Sequence, residues 1–250
     1  MSDMADTQTV DLTYLNEILV KRMKVKRQPV AISYIKDGVV PDGYEPVNVV
    51  ACQIVRLAEE GRKIYVDQTH HDCRVGQFHL GLETTDDPFI VEGEYLTSAQ
   101  GFYTDEAAKC NKKQSYSLPE GTISALAAAP LDAVPEGMHV DLLVAIVNSQ
   151  QAMQIAGAAS VREGTFPHGE LGASACSSIF AAPYHLQNSV FAIGDGGGRA
   201  FNRVAVGEMF VSIPKQHFRY IIELIENFRI DPQKMREVIM PSYAPKNKTT

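Results

Sequence analysis

Four residues of this 250-residue chain are best suited to chemistry: Cys52, Cys73, Cys110 and Cys176. Four thiolates are the number that completes a tetrahedral zinc site or an iron–sulfur cluster. None belongs to a C-x-x-C pair, which speaks against a zinc knuckle or a ferredoxin-type run. Ligands spaced so widely have to be gathered by the fold. The competing reading is that cysteine is simply a favoured buried residue, and the small neighbours of Cys176 in "GASACSSIFAA" suit close packing as well as ligation. Cys52, Cys73 and Cys176 fall at expected helix starts, where unpaired N–H groups and the helix dipole stabilise a thiolate and lower its pKa. The same three could therefore be redox-active thiols or nucleophiles with no metal.

Cys73 sits in "HHDCRVGQ", after a polar segment, with Gly76 in the first turn of the helix that follows. A missing side chain there leaves room for a bulky group. His70 and His71 could be ligands or a general base beside Cys73. Adjacent residues of an extended segment point to opposite faces, so at most one faces a site, and a polar loop is the preferred reading of the pair. His79 reads as structural. "GDGGGR" offers Gly194, Gly196, Gly197, Gly198 and Arg199. Nucleotide-binding fingerprints need a helix after the glycines. A strand is expected here instead, so the loop reads as a flexible turn whose glycines let backbone approach a ligand and whose arginine meets an anion. No serine nucleophile elbow and no H-E-x-x-H helix is present, and no catalytic residue is assigned.

These side chains stand in a chain that is 45% hydrophobic and 21% charged, with a formal net charge of −7. That is a globular composition, and its acidity argues against nucleic acid as a partner. The basic run "VKRMKVKR" reads as the solvated end of the first helix. No stretch resembles a signal peptide or a membrane span, so the expectation is a cytoplasmic protein with reduced thiols.

The elements that must position the cysteines follow from periodicity and punctuation. "VDLTYLNEILVKRM" has a helical rhythm. "PVAISYI" reads as a buried strand, "VVACQIVRLAEEGR" as a helix ended by Gly61, "KIYVDQT" as a strand and "RVGQFHLGL" as a short helix. "PFIVEGEYLTSA" reads as a strand, "TDEAAKC" as a helix, and "TISALAAAPL" as a helix interrupted by Pro130. Then come the strand "HVDLLVAIVN", a helix 149–164 capped by Ser149, the strands "NSVFAI" and "RVAVGEMFVSIP", and a final helix "KQHFRYIIELIENFR".

The two series look alike. "VAI" at 30–32 returns at 144–146, and "GE" at 93–94 returns at 207–208 with the same spacing. This predicts an α+β or α/β fold of two similar strand-helix-strand-helix halves with pseudo-twofold character, in which Cys73 and Cys176 are equivalent. The expected division is an N-terminal helix (1–27), halves at 28–118 and 119–213, and a C-terminal helix and tail (214–250).

"PVAI", "ACQIVRLAEEGRKIYV", "DCRVGQFHLGL", "SACSSIFAAPY", the Gly–Arg loop and "GEMFVSIP" together resemble the family called domain of unknown function 169, or ArCR. That family carries no assigned activity, so the resemblance implies a fold more than a function. It implies that Cys52, Cys73 with Gly76, Cys176 and Arg199 occupy motif positions. The leading expectation is an iron–sulfur protein, with a 4Fe–4S cluster held by Cys52, Cys73, Cys176 and Cys110 in a redox or substrate-activating role. The alternatives are a metal-free protein binding a small anion or cofactor at the Gly–Arg loop, and a thiol-based redox enzyme. Expected partners are a small molecule or a redox protein. A homo-oligomer is compatible with the pattern, and neither nucleic acid nor membrane is expected.

Overall fold

The structure, a computed structural model, describes residues 10–172, 174–227 and Val238. Parts of the expected N-terminal and C-terminal segments, including the last two residues of the final helix, lie outside the described residues. The chain opens with α1 (Leu12–Glu17), capped by the Asp11 side chain and continued by a π turn (Ile18–Arg22). Then come β1 (Val30–Ile35), β2 (Glu45–Pro46), a 3-10 turn (Ala51–Gln53) leading into α2 (Ile54–Glu59), β3 (Ile64–Asp67) and α3 (Arg74–His79). An excursion carries α4 (Pro88–Val91), α5 (Glu94–Gln100) and α6 (Asp105–Lys112) before β4 (Ala125–Pro130) returns to the sheet. β5 (Leu142–Asn148), α7 (Ser149–Glu163) and β6 (His168–Glu170) follow. A π turn (Ser177–Ala181) leads into α8 (Ala182–Leu186), then β7 (Val190–Ala192), α9 (Gly196–Phe201) and β8 (Glu208–Pro214). A 3-10 turn (Lys215–His217) begins α10 (Phe218–Asn227).

Among the described residues, eight strands form one mixed sheet, in the order β2-β3-β4-β1-β5-β8-β7-β6. The architecture is α+β. Each half contributes four strands, and the halves repeat one pattern. The second strand pairs parallel with the third, in β2–β3 and in β6–β7. The third pairs antiparallel with the fourth, and the fourth antiparallel with the first. The halves meet where β1 pairs antiparallel with β5, with Val30 opposite Val144. The two "VAI" segments thus occupy matching first-strand positions. By strand order the break falls between β4 and β5, after Pro130, not at 118/119. β8 repeats β4, so the match of "GEMFVSI" to "GEYLTSA" does not hold.

Four local expectations are corrected. "PFIVEGEYLTSA" forms α4 and α5. Asp87 caps Phe89 N–H at 3.0 Å, Pro88 takes the first helical position, and Gly93 turns the chain at φ +80°. "ALAAAP" forms β4, buried along its whole length between β3 and β1. The helix preference of alanine gives way to a central place in the sheet, where small side chains fit under covering layers on both faces. The cap of α7 is Asn148, one residue earlier than Ser149, in a reciprocal capping box with Gln151. "GGGRAF" is the helix α9, because the Asp195 side chain accepts the Gly198 N–H and nucleates the turn.

Alternation along the central strands divides the core. Val30, Ile32, Ile64, Val66, Leu126, Val144 and Phe210 face one side, together with α2, the 177–181 turn, Cys52 and Cys176. Ala31, Leu143, Ala145, Val211 and Ile213 face the other, under α1, α7 and α10. Each buried aliphatic side chain contributes roughly 1.5–3 kcal/mol. The basic run near the N-terminus is not fully solvated. Met23 and Val25 are buried, and Arg27 pairs with Glu59 of α2 and donates to Asn202 O at 2.7 Å.

Candidate functional site around three cysteines

Three of the four cysteines are brought to the same face of the sheet by three different connections. Cys52 lies in the 3-10 turn between the parallel strands β2 and β3, and Cys176 immediately precedes the turn between β6 and β7. Both are buried. Cys52 and Cys73 are both near enough to act electrostatically on Cys176. Cys73 caps α3, its Sγ accepting the Gly76 N–H at 3.3 Å. Cys110 is exposed on α6, its thiol facing Glu106 Oε1 at 3.8 Å. Cys52, Cys73 and Cys176 therefore lie within electrostatic reach of one another, and Cys110 is on the surface.

Close backbone approach makes this gathering. A Cβ on Gly76 would lie 3.2 Å from the Ala51 Cβ and 3.0 Å from the His71 ring. A Cβ on Gly198 would lie 2.5 Å from the Ala175 Cβ. In both halves, then, a glycine three residues after a capping side chain packs on the alanine that precedes a cysteine. Asp195 accepts the Ala175 N–H at 3.2 Å as well, which fixes it beside Cys176.

Cys73 and Cys176 are not the low-pKa thiolates expected at helix starts. Burial pushes the Cys73 thiol up, and the charges of Cys52 and Asp195 add to this against the Gly76 N–H. The polar interaction with the Cys52 side chain, then burial, then the charges of Cys52, Cys73 and Asp195 raise Cys176 well above the usual thiol range. Desolvation and mutual repulsion outweigh the helix dipole. Such a site favours protonated thiols, or thiolates neutralised by a bound cation.

Among the described residues, no group of three or more His, Cys, Asp and Glu could hold a single metal ion. A lone ion draws its ligands to about 2.3 Å of one point, whereas a cluster spreads its thiolates over several atoms. Tyr95, from α5, adds a polar atom. The side chain is 5% exposed, its hydroxyl has no hydrogen-bond partner, and the charges of Cys176, Asp195 and Cys73 all act on it. Burial holds that hydroxyl protonated, as a donor.

His70 and His71 point apart, as expected of neighbours in an extended segment. His70 Nδ1 meets Asp67 at 3.0 Å. His71 Nδ1 accepts the Cys73 N–H at 2.9 Å, which puts the ring proton on Nε2, a buried atom without a partner. Burial lowers its pKa to about 4, so the ring is neutral. His79 is structural: fully buried, its Nδ1 meets Tyr116 O at 2.7 Å.

The Gly–Arg segment does not present a cation to an anion. Arg199 donates to Ile193 O at 2.7 Å, Ala205 O at 2.8 Å and Glu208 O at 3.1 Å. Its guanidinium clamps the segment between β7 and β8. Gly194, at φ +76°, makes the turn; Gly196, Gly197 and Gly198 lie in α9. A groove of about 570 Å³ is lined by Ser174, Ser177, Tyr116, Asn111, His168 and Glu170, and no cysteine lines it.

Asp195 and Tyr95 were not among the residues singled out by their types and spacing. A signal for Asp195 did exist: "AC" occurs at 51–52 and 175–176, and "C-x-x-G" at 73–76 answers "D-x-x-G" at 195–198. Nothing local marks Tyr95, which the excursion delivers.

Residues 18–224 match the family described as uncharacterised ArCR, domain of unknown function 169, and the chain belongs to that family. It is similar to an uncharacterized protein of Methanocaldococcus jannaschii, MJ0308, at 26% identity over 219 residues, 84% of this chain and 92% of the relative. No solved structure matches. Among the described residues no helix is long and apolar enough to cross a membrane.

Proposed function

We propose that the chain binds an iron–sulfur cluster, of the 4Fe–4S type, through Cys52, Cys73 and Cys176, in a cytoplasmic redox or small-substrate-activating role. The observation that carries this reading is that Cys52, Cys73 and Cys176, from three separate connections, lie within electrostatic reach of one another, with the buried Tyr95 hydroxyl, which has no partner among the described residues, near Cys73 and Cys176. The donor set fits the group: soft sulfur ligands suit iron–sulfur clusters, and buried thiols with raised pKa values gain most from exchanging protons for metal cations. Bound there, a cluster supplies electron transfer, or Lewis acidity at an iron without a thiolate. The chain's residues have definable tasks. Gly76 N–H donates to Cys73 Sγ and orients it. Tyr95 offers its hydroxyl proton into the site, and Ala51, Ala175, Gly76 and Gly198 keep the surrounding backbone close.

A second reading rests on Cys52 and Cys176, two buried free thiols of which the first acts on the second: a dithiol that an external oxidant converts to a disulfide, without metal. One experiment separates the two. Protein purified without oxygen is analysed for iron, sulfide and visible absorption, alongside Cys73→Ala and Cys110→Ser. The cluster reading expects a brown protein, loss of colour and iron in Cys73→Ala, and unchanged iron in Cys110→Ser. Colourless protein whose Cys52 and Cys176 oxidise to a disulfide supports the dithiol and ends the cluster reading. Full iron content in Cys73→Ala ends it too.

A further inference from the structure

The repeat of the fold assigns partners to the cysteines that differ from those the sequence pattern offers. Cys52 and Cys176 each follow an alanine and each stand in the connection between two parallel strands, β2–β3 and β6–β7. They are the equivalent pair. Cys73 follows β3 and caps a six-residue helix, its Sγ accepting the N–H of the residue three further on. Asp195 follows β7 and caps a six-residue helix in the same way. Gly76 packs on Ala51, and Gly198 on Ala175. The second half thus carries a carboxylate where the first carries a thiol.

We propose that Asp195 occupies the fourth ligand position of the cysteine site, so that a bound cluster has three thiolate corners and one corner facing a carboxylate. This deepens the cluster reading and rests on it. The two halves place their ligands as matched pairs, Cys52 with Cys73 and Cys176 with Asp195. Independently, the Tyr95 hydroxyl, buried and unpartnered, lies within reach of the charges of Cys73, Cys176 and Asp195. Asp195 Oδ1 accepts from Gly198 N–H, and Oδ2 from Ala175 N–H at 3.2 Å and Gln100 Nε2 at 3.4 Å. A carboxylate has about four acceptor positions, so one remains. Cys73 shows the same economy: it caps its helix with one lone pair and keeps others for a ligand. Carboxylate oxygen holds iron less tightly than thiolate does, which makes the Asp195 corner the labile one.

The test uses full-length protein reconstituted without oxygen from ferrous iron and sulfide, as wild type, Asp195→Cys and Asp195→Asn. Asparagine also caps helices, so the last variant keeps the turn while removing the charge. Each is treated with one equivalent of ferricyanide, which accepts the single electron released when a [4Fe–4S]2+ cluster becomes [3Fe–4S]+ and Fe2+. Iron released and the paramagnetic three-iron signal are measured. Wild type should lose about one iron in four and show the signal. Asp195→Cys should keep all its iron and show none. Asp195→Asn should lose iron faster than wild type while melting within a few degrees of it. Exchanging the pair, Cys73→Asp with Asp195→Cys, should restore the wild-type release. If wild type holds a cluster but Asp195→Cys releases iron to the same extent, Asp195 is only a helix cap and the cluster reading survives. If wild type takes up no cluster, both ideas fall together.

Discussion

The two halves of the sheet use the same four strands in the same order, yet they surround the site differently. Between β3 and β4 the first half inserts residues 68–124, with α3 to α6. The second half joins β7 to β8 through α9 and a short turn. The first half instead has only a loop between β1 and β2, where the second has the fifteen residues of α7. What the halves share is confined to the sheet, the connections that carry Cys52 and Cys176, and the capped six-residue helices α3 and α9. What differs supplies individuality: Tyr95 comes from the excursion, and Asp195 replaces a thiol. Both halves make the same close contact, Gly76 on Ala51 and Gly198 on Ala175, with a thiol capping one helix and a carboxylate the other.

The contact between glycine and alanine is tighter in the second half, which gives the largest expected effect. Gly198→Ala forces two methyl carbons to within 2.5 Å and should cost about 2–3 kcal/mol, with loss of iron loading. Gly76→Ala meets its alanine at 3.2 Å, and its helical preference offsets most of the strain, so denaturant unfolding should place it within about 1 kcal/mol of wild type. Equal effects would mean that the two contacts are not counterparts.

Next in size is the clamp that exists only in the second half. Arg199→Ala leaves the carbonyls of Ile193, Ala205 and Glu208 without their donor and should lower stability by about 2 kcal/mol. Added phosphate or sulfate should not raise the wild-type melting temperature through this residue. Stabilisation by phosphate that disappears in Arg199→Ala would revive an anion site at the Gly–Arg segment.

The pH-dependent effect belongs to the first half. Burial, then the Lys112 charge, hold His79 down at about 3, against an ordinary value of 6.5. The unfolded chain therefore takes up this proton first. The associated stability is complete above about pH 6.5 and falls as the pH drops towards 3, by up to about 1.4 kcal/mol per pH unit. Melting temperatures measured from pH 7.5 to 4.5 should decline, and His79→Gln should be less stable at pH 7.5 but flatter in that range. An equally steep decline in His79→Gln would assign the acid sensitivity elsewhere.

Much of this architecture is legible in the residues. β1, β3, β5 and β8 are dense in branched apolar side chains, and α2, α3 and α7 carry their own stop or cap signals. β4 is not legible, because "ALAAA" prefers a helix and becomes a strand only when β3 and β1 close on either side of it. α9 is hidden for a related reason. Three successive glycines oppose a helix, and it forms because Asp195 caps it and Gly198 has to fit against Ala175. Cys52, Cys73 and Cys176 stand out by residue type. The correct pairing, Cys52 with Cys176 and Cys73 with Asp195, depends on strand order, which short identities do not encode. Cys110 looks like the other thiols in sequence but lies on an exposed helix face.

The place of β1 in the sheet has a consequence for biosynthesis. Its two neighbours are β4, at Ala125–Pro130, and β5, at Leu142–Asn148. During translation the apolar β1 is finished long before either partner leaves the ribosome, so both of its hydrogen-bonding edges stay open while some ninety further residues are made. Such an edge invites pairing with the wrong chain. Slow, late-committing folding governed by non-local contacts is expected of this topology, and nascent chains ending before residue 130 should be the ones that chaperones hold.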